Sequence, residues 1–234
     1  MDISPEPLGF KTVKTTLPTR PLPPHASRQP VVTERLILRP VSADDLQALH
    51  TLRAQPEVMR FSAVGRVDAD LDETRARLAQ NLPPHDADNY DVSIYLRSTG
   101  RWIGIGGCKK PSGGDLGWPE IGYMLQKDYW GSGYATEFVK AFLGAWWSLP
   151  RSECEIAVER ASVEGERAVV RGRAEEVEGA VDEILTAVTA TDNPASQKIL
   201  TKLGFEKFKV WKEVDEEKQT EIVLVGYGIR RPRQ

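Results

Sequence analysis

The segment Asp128 to Glu137, Asp-Tyr-Trp-Gly-Ser-Gly-Tyr-Ala-Thr-Glu, constrains the fold more than any other stretch of the chain. Gly131 and Gly133 permit a tight turn, and Phe138, Phe142 and Trp146 then recur at helical spacing. A glycine turn running straight into a helix leaves backbone N–H groups unpaired at the positive end of the helix dipole. Such an end accepts an anion such as a pyrophosphate. A lone Gly-x-Gly is a weak signal, because glycine also serves packing at ordinary helix starts. Here it has neighbours. Upstream, Glu120-Ile-Gly-Tyr-Met-Leu125 reads as a buried strand. Downstream, Asp192 to Phe205 carries helix signals at both ends: Pro194 in the first turn, Ile199, Leu200 and Leu203 on the buried side, and Gly204 just beyond.

The rest of the chain alternates between the two periodicities. Leu36, Leu38 and Val41 mark a first strand, and Ser42-Ala-Asp-Asp45 forms a capping box ahead of a helix with Leu46 and Leu49 inward. A second helix is predicted from Asp68 or Asp70 to Leu82, with acidic residues in its first turn and Pro83-Pro84 ending it. Val92, Ile94 and Leu96 alternate with polar residues, Ser98-Thr-Gly100 turns the chain, and Trp102 to Gly107 returns as a hairpin partner. Ile184 to Val188 reads as a further strand, and Phe205 to Lys212 with Glu221 to Arg230 as a closing hairpin around Asp215 to Lys218.

Two regions stand outside this pattern. Residues 1 to 30 hold Pro5, Pro7, Pro18, Pro21, Pro23, Pro24 and Pro30, a density that predicts an extended tail. From about Ser148 to Asp182 the chain is dense in Glu and Arg, and reads as a charged insertion that decorates a single domain spanning 31 to 234. Ile156 to Val158 and Ala168 to Val170 could pair as a peripheral hairpin, with a charged loop as the alternative.

Composition removes several classes of function. A net charge of −3 and a pI near 5.8 supply no basic face for nucleic acid. Cys108, Cys154 and three scattered histidines do not have metal-ligand spacing, so no metal is expected. The amino terminus, with Asp2 and Glu6, lacks a secretory core, and no stretch approaches the roughly 20 apolar residues of a membrane span. The expectation is a soluble, cytoplasmic protein with no membrane partner, the nucleus remaining open.

Four ordered motifs together resemble the GNAT superfamily of acyl-CoA N-acyltransferases, in particular its ribosomal-protein N-terminal acetyltransferase-like branch. They are Thr33-Glu-Arg-Leu-Ile-Leu-Arg39, Glu120-Ile-Gly-Tyr123, Tyr129 to Glu137, and Asn193-Pro-Ala-Ser196 followed by Lys202-Leu-Gly-Phe205, covering about Thr33 to Arg231. Trp130 stands where the wider superfamily has Gln or Arg, and that branch often has Trp there. The resemblance implies an α/β fold with a bent, mostly antiparallel central sheet flanked by about four helices and splayed at the cofactor-binding strand. It implies acetyl-CoA as the acyl-donor cosubstrate and a primary amine as acceptor, a protein N-terminus or a small molecule. Oligomeric state is not legible.

By that resemblance Gly131, Ser132, Gly133, Tyr134, Ala135 and Thr136 cradle the pyrophosphate, Met124 and Leu125 meet pantetheine through their main chain, and Asn193 contacts the same arm. Acetyl transfer from a thioester to an amine further needs a proton acceptor and a donor for the leaving thiolate. Glu120 is the candidate base, against a structural contact at a strand edge, and Ser196 the candidate donor. Tyr123, Tyr129 and Tyr134 are alternative donors, while Glu57, Asp215, Glu216 and Glu217 would favour a cationic acceptor. The competing reading is a catalytically silent acyl-CoA-binding module acting through a partner protein.

Overall fold

A computed structural model describes residues 8–164, 180–215 and 220–232. Pro5, Pro7, Ala168 to Val170, Glu216 and Glu217, named above, lie outside them. The chain runs β1 (Phe10–Pro18), β2 (Val31–Val32), β3 (Leu36–Pro40), α1 (Leu46–Arg53), α2 (Pro56–Met59) and α3 (Leu71–Ala79). There follow β4 (Tyr90–Leu96), β5 (Trp102–Lys110), β6 (Glu120–Leu125) and α4 (Tyr134–Ser148). Last come β7 (Arg151–Glu159), α5 (Ala161–Glu164), β8 (Ile184–Ala190), α6 (Pro194–Lys202), β9 (Glu206–Asp215) and β10 (Thr220–Arg230). The class is α/β, with a mostly antiparallel sheet flanked by helices.

Two compact units divide these elements. The first comprises Met1–Pro18, Lys110–Glu120 and Pro150–Gln234, and the second Thr19–Lys109 and Ile121–Leu149. In the second unit the strand order is β2-β3-β4-β5-β6. β4 and β5 pair antiparallel, with a register shift between Ile94 and Tyr95. Gly106 is required here because a Cβ would meet the Phe138 ring and Tyr123 at 2.7 to 2.8 Å, so α4 lies hard against the sheet. Phe138, Val139, Phe142, Leu143 and Trp146 are buried along one face of α4. Each such large side chain contributes about 1.5–3 kcal/mol relative to exposure. The capping box is present, Ser42 accepting from the Asp44 N–H and Asp45 from the Ser42 N–H. Asp70 caps α3, which stops at Ala79, three residues short of the predicted Leu82.

In the first unit the order is β8-β10-β9, antiparallel throughout, and Glu120 pairs with Thr186 in parallel register. Asn193 accepts the Ser196 N–H at 3.2 Å to cap α6, Pro194 opens it, and Gly204 adopts φ +88° beyond its end.

β1 and β7 form a separate antiparallel pair, Phe10↔Glu159 through Pro18↔Arg151. The tail reading therefore fails at residues 10–18. Proline density averaged over thirty residues concealed a proline-free window, Leu8 to Leu17, in which Val13, Thr15 and Leu17 alternate inward. The insertion reading is corrected in the same place. Ile156 to Val158 lie in a strand, and the partner of that strand is β1, with Val158 and Glu159 buried. A surface decoration would not bury Glu159 against the Gly9 N–H at 2.7 Å and Lys209 Nζ at 3.3 Å.

Candidate active site

The glycine-rich loop belongs to the second unit. Gly131 and Gly133 adopt φ +72° and +81°, values that L side chains rarely reach, and Gly133 occupies the N-cap of α4 without a side-chain cap. The N–H groups at the start of this 15-residue helix are thus left to an external acceptor. A Cβ at Gly131 would meet nothing within 4 Å and one at Gly133 only Arg35 NH2 at 3.4 Å, so the cradle is open. That is the fit an anionic phosphate requires.

What holds the loop in place was not assigned from sequence. Arg35 donates from Nε to Glu137 Oε2 at 2.7 Å and from NH1 to the Ser132 carbonyl at 2.9 Å, and its Cζ lies 4.7 Å from the Tyr134 ring centroid. Glu137 also accepts from Thr33 Oγ1 at 2.6 Å and from the Arg35 N–H at 2.8 Å. Burial works against its charge, but these donors outweigh it and hold the carboxyl below its ordinary range. The signal was present as co-occurrence: Thr33 to Arg39 and the loop ending in Glu137 were two motifs of one resemblance, and they are in contact. Trp130 has a similar explanation, its indole N–H donating to the Leu125 carbonyl at 2.9 Å and tying the turn to the end of β6. Of the two main-chain groups expected to face pantetheine, the Leu125 carbonyl thus already accepts one bond, and the Met124 carbonyl lies against Gly104.

Glu120 belongs to the first unit, at the first position of β6. Its Oε2 is buried without a hydrogen-bond partner, and Gly114 lies so close that a Cβ there would be 2.7 Å from that oxygen. Burial, reinforced by Asp115 and more weakly by Glu213, pushes the carboxyl up to about 7, against the Asp115 backbone N–H and Lys110. A carboxyl poised near neutrality can exchange a proton in both directions.

Ser196 sits in the first turn of α6, where its N–H completes the Asn193 cap, so Asn193 has the capping role compatible with cofactor contact. The tyrosines lie in aromatic packing: Tyr123 is 6.1 Å from Phe138, and Tyr129 and Tyr134 meet edge-on at 6.3 Å. Glu57 is paired with Lys127 Nζ at 2.6 Å, which offsets the free negative charge expected of it. Among the described residues no group of three or more His, Cys, Asp or Glu is placed to hold a metal ion, and no helix is long and apolar enough to cross a membrane.

An open glycine cradle before an uncapped helix, on a mostly antiparallel sheet flanked by helices, defines a class of α/β proteins with a ready site for an anionic phosphate. The acetyltransferase (GNAT) domain family matches residues 35–206, about three quarters of the chain, and the protein belongs to that family. It is an acetyltransferase whose acyl donor is acetyl-CoA. Solved structures share the fold at low identity. A GNAT acetyltransferase from Bacillus anthracis is 18% identical, with a TM-score of 0.61 over 87% of this chain and 99% of its own. The ribosomal-protein alpha-N-acetyltransferase RimL in complex with coenzyme A is 14% identical, with a TM-score of 0.61 over 86% and 98%. The microcin C7 self-immunity acetyltransferase MccE, in complex with acetyl-CoA and AMP, is 12% identical, with a TM-score of 0.60 over 85% and 93%. Comparison with curated protein sequences yields no match.

Proposed function

We propose that the protein acetylates a primary amine, a protein N-terminus or a small-molecule amine, by direct attack within a ternary complex, and that Glu120 accepts the amine proton. The observation that carries this reading is the buried, unpartnered Oε2 of a carboxyl whose proton affinity is raised to about 7. An alkylammonium acceptor must lose a proton before it attacks, and a base matched to neutral pH takes it with least loss of driving force. The charges around Glu120, Asp115 and Glu213 against Lys110, support a cationic acceptor. The relatives include one named for ribosomal-protein N-termini, which supports a protein N-terminus as one acceptor class to test.

In this reading Gly131, Ser132, Gly133, Tyr134, Ala135 and Thr136 hold the pyrophosphate through their main chain. Met124 and Leu125 supply main-chain contacts to the pantetheine arm, Asn193 adds its amide, and Ser196 is the donor to the departing thiolate. Bound acetyl-CoA supplies the thioester. That Cys108 and Cys154 are both free thiols supports a reducing, cytoplasmic setting.

The test is Glu120→Gln, which keeps the shape and removes the basicity. Turnover in a thiol-release assay across a panel of amine acceptors should drop by roughly 10² to 10⁴, with CoA affinity by calorimetry nearly constant. Normal turnover with the best acceptor would return Glu120 to a structural role. CoA binding by the native chain without turnover on any acceptor would instead favour the silent acyl-CoA-binding module.

A further inference from the structure

The loop before Glu120 is held by contacts in which the carboxyl takes no part. Gly114 donates its N–H to the Trp118 carbonyl at 2.7 Å, folding the loop back on itself, and Pro119 accepts from the Thr186 N–H at 2.8 Å and its hydroxyl at 3.0 Å. Trp118 is fully buried and packs with Val13 of β1, Val158 of β7 and Ile184 of β8. Its indole N–H donates to Ser162 Oγ at 2.8 Å, and Ser162 donates in turn to the Glu159 carbonyl at 2.6 Å. The Glu159 N–H reaches the Leu116 carbonyl at 2.9 Å. Gly117, at φ +79°, lies so close to β7 that a Cβ would be 2.0 Å from the Ala157 carbonyl. The Glu159 carboxylate is itself fixed by the Gly9 N–H and Lys209. Every element of this chain of contacts lies within the first unit.

We propose that the β1/β7 ribbon is a clamp that presses the 110–119 loop over Glu120 and keeps water from its carboxyl, with Trp118, Ser162 and Glu159 as positioning residues. The ribbon takes β1 from the region read as an extended tail and β7 from the region read as a charged insertion decorating the domain. The proposal gives them one task. Its value for catalysis rests on the reading of Glu120 as the base, but the clamp can be measured without turnover.

The groups facing the Glu120 carboxyl are Asp115 and Lys110 on the loop and its flank, and Glu213 on β9; none of them is substituted in the variants, and Asp115 moves away together with the loop, which lowers the midpoint in the same direction. If the loop lifts, water reaches the carboxyl and its midpoint falls toward the ordinary value of 4.5. The experiment is a carboxyl ¹³C NMR titration of the full chain labelled at glutamate, with the Glu120 signal assigned by its loss in Glu120→Gln. It is repeated in Gly117→Ala, which forces the loop away from Ala157, and in the milder Ser162→Ala, which removes the acceptor of the Trp118 indole. Both variants should lower the midpoint by about one pH unit or more. A folded variant with the native midpoint overturns the clamp, and if Gly117→Ala does not fold, Ser162→Ala decides alone. Normal turnover by Glu120→Gln would overturn the base assignment and leave the titration result standing.

Discussion

At the scale of single residues, Glu120 and Arg35 make opposite uses of charge. The Glu120 carboxyl holds its proton more tightly in the folded chain than in the unfolded one, about 7 against 4.5. That difference favours the fold below pH 4.5, and the advantage is lost as the pH rises through 7. Glu120→Gln, which has no proton to lose, should therefore equal the native protein in stability near pH 4.5 and exceed it by up to about 3 kcal/mol at pH 8, read from urea unfolding at both pH values. Equal stability at pH 8 would show that the carboxyl is solvated. Arg35 does the reverse, neutralising a Glu137 that would otherwise place negative charge in the first turn of α4, where an anion is to bind. Because the pair is partly exposed, Arg35→Ala should cost about 1 kcal/mol or less of CoA affinity, seen as a loss of up to roughly fivefold in calorimetry. Adding Glu137→Gln should restore part of it. A double variant no better than Arg35→Ala would mean that Arg35 acts by shaping the loop rather than by charge.

At the scale of elements, the glycine loop and the ribbon show what a sequence can and cannot disclose. Gly133→Val should weaken CoA binding at least tenfold, about 1.4 kcal/mol, because it both strains a left-handed position and fills the open cradle. Unchanged affinity in a folded variant would place the phosphate elsewhere. The loop, α4, the β4/β5 hairpin and the α6 caps were legible because each is specified by residues within a few positions of one another: Gly133 before Tyr134, Ser98 to Gly100 between two alternating runs, Asn193 against Ser196. The ribbon was not, because Val13 faces Ile156 and nothing near either residue announces the other. The same distance hid Arg35 and Glu137, whose motifs were visible while their contact was not. Replacing Glu153 to Glu178 with a short Gly-Ser linker would remove Val158 and Glu159 from contact with Trp118, Gly9 and Lys209. Loss of cooperative unfolding in the first unit is the expected result, and a cooperative transition at native stability would restore the reading of that segment as a decoration.

For the whole molecule, cofactor occupancy should be visible as stability. Coenzyme A at a hundred times its dissociation constant should add about 2.7 kcal/mol, measured as a concentration-dependent rise in the thermal midpoint, and no rise would contradict binding to the folded state. The ribbon also bears on how the chain is made. Gly9 meets Glu159 across 150 positions of sequence, so β1 leaves the ribosome long before the strand it will pair with exists. At about 5–20 residues per second, the nascent strand waits on the order of ten to thirty seconds with both edges open. Lys11, Lys14 and the threonines around them keep that strand polar during the wait, a protection against wrong partners that an edge strand of a two-stranded ribbon goes on using.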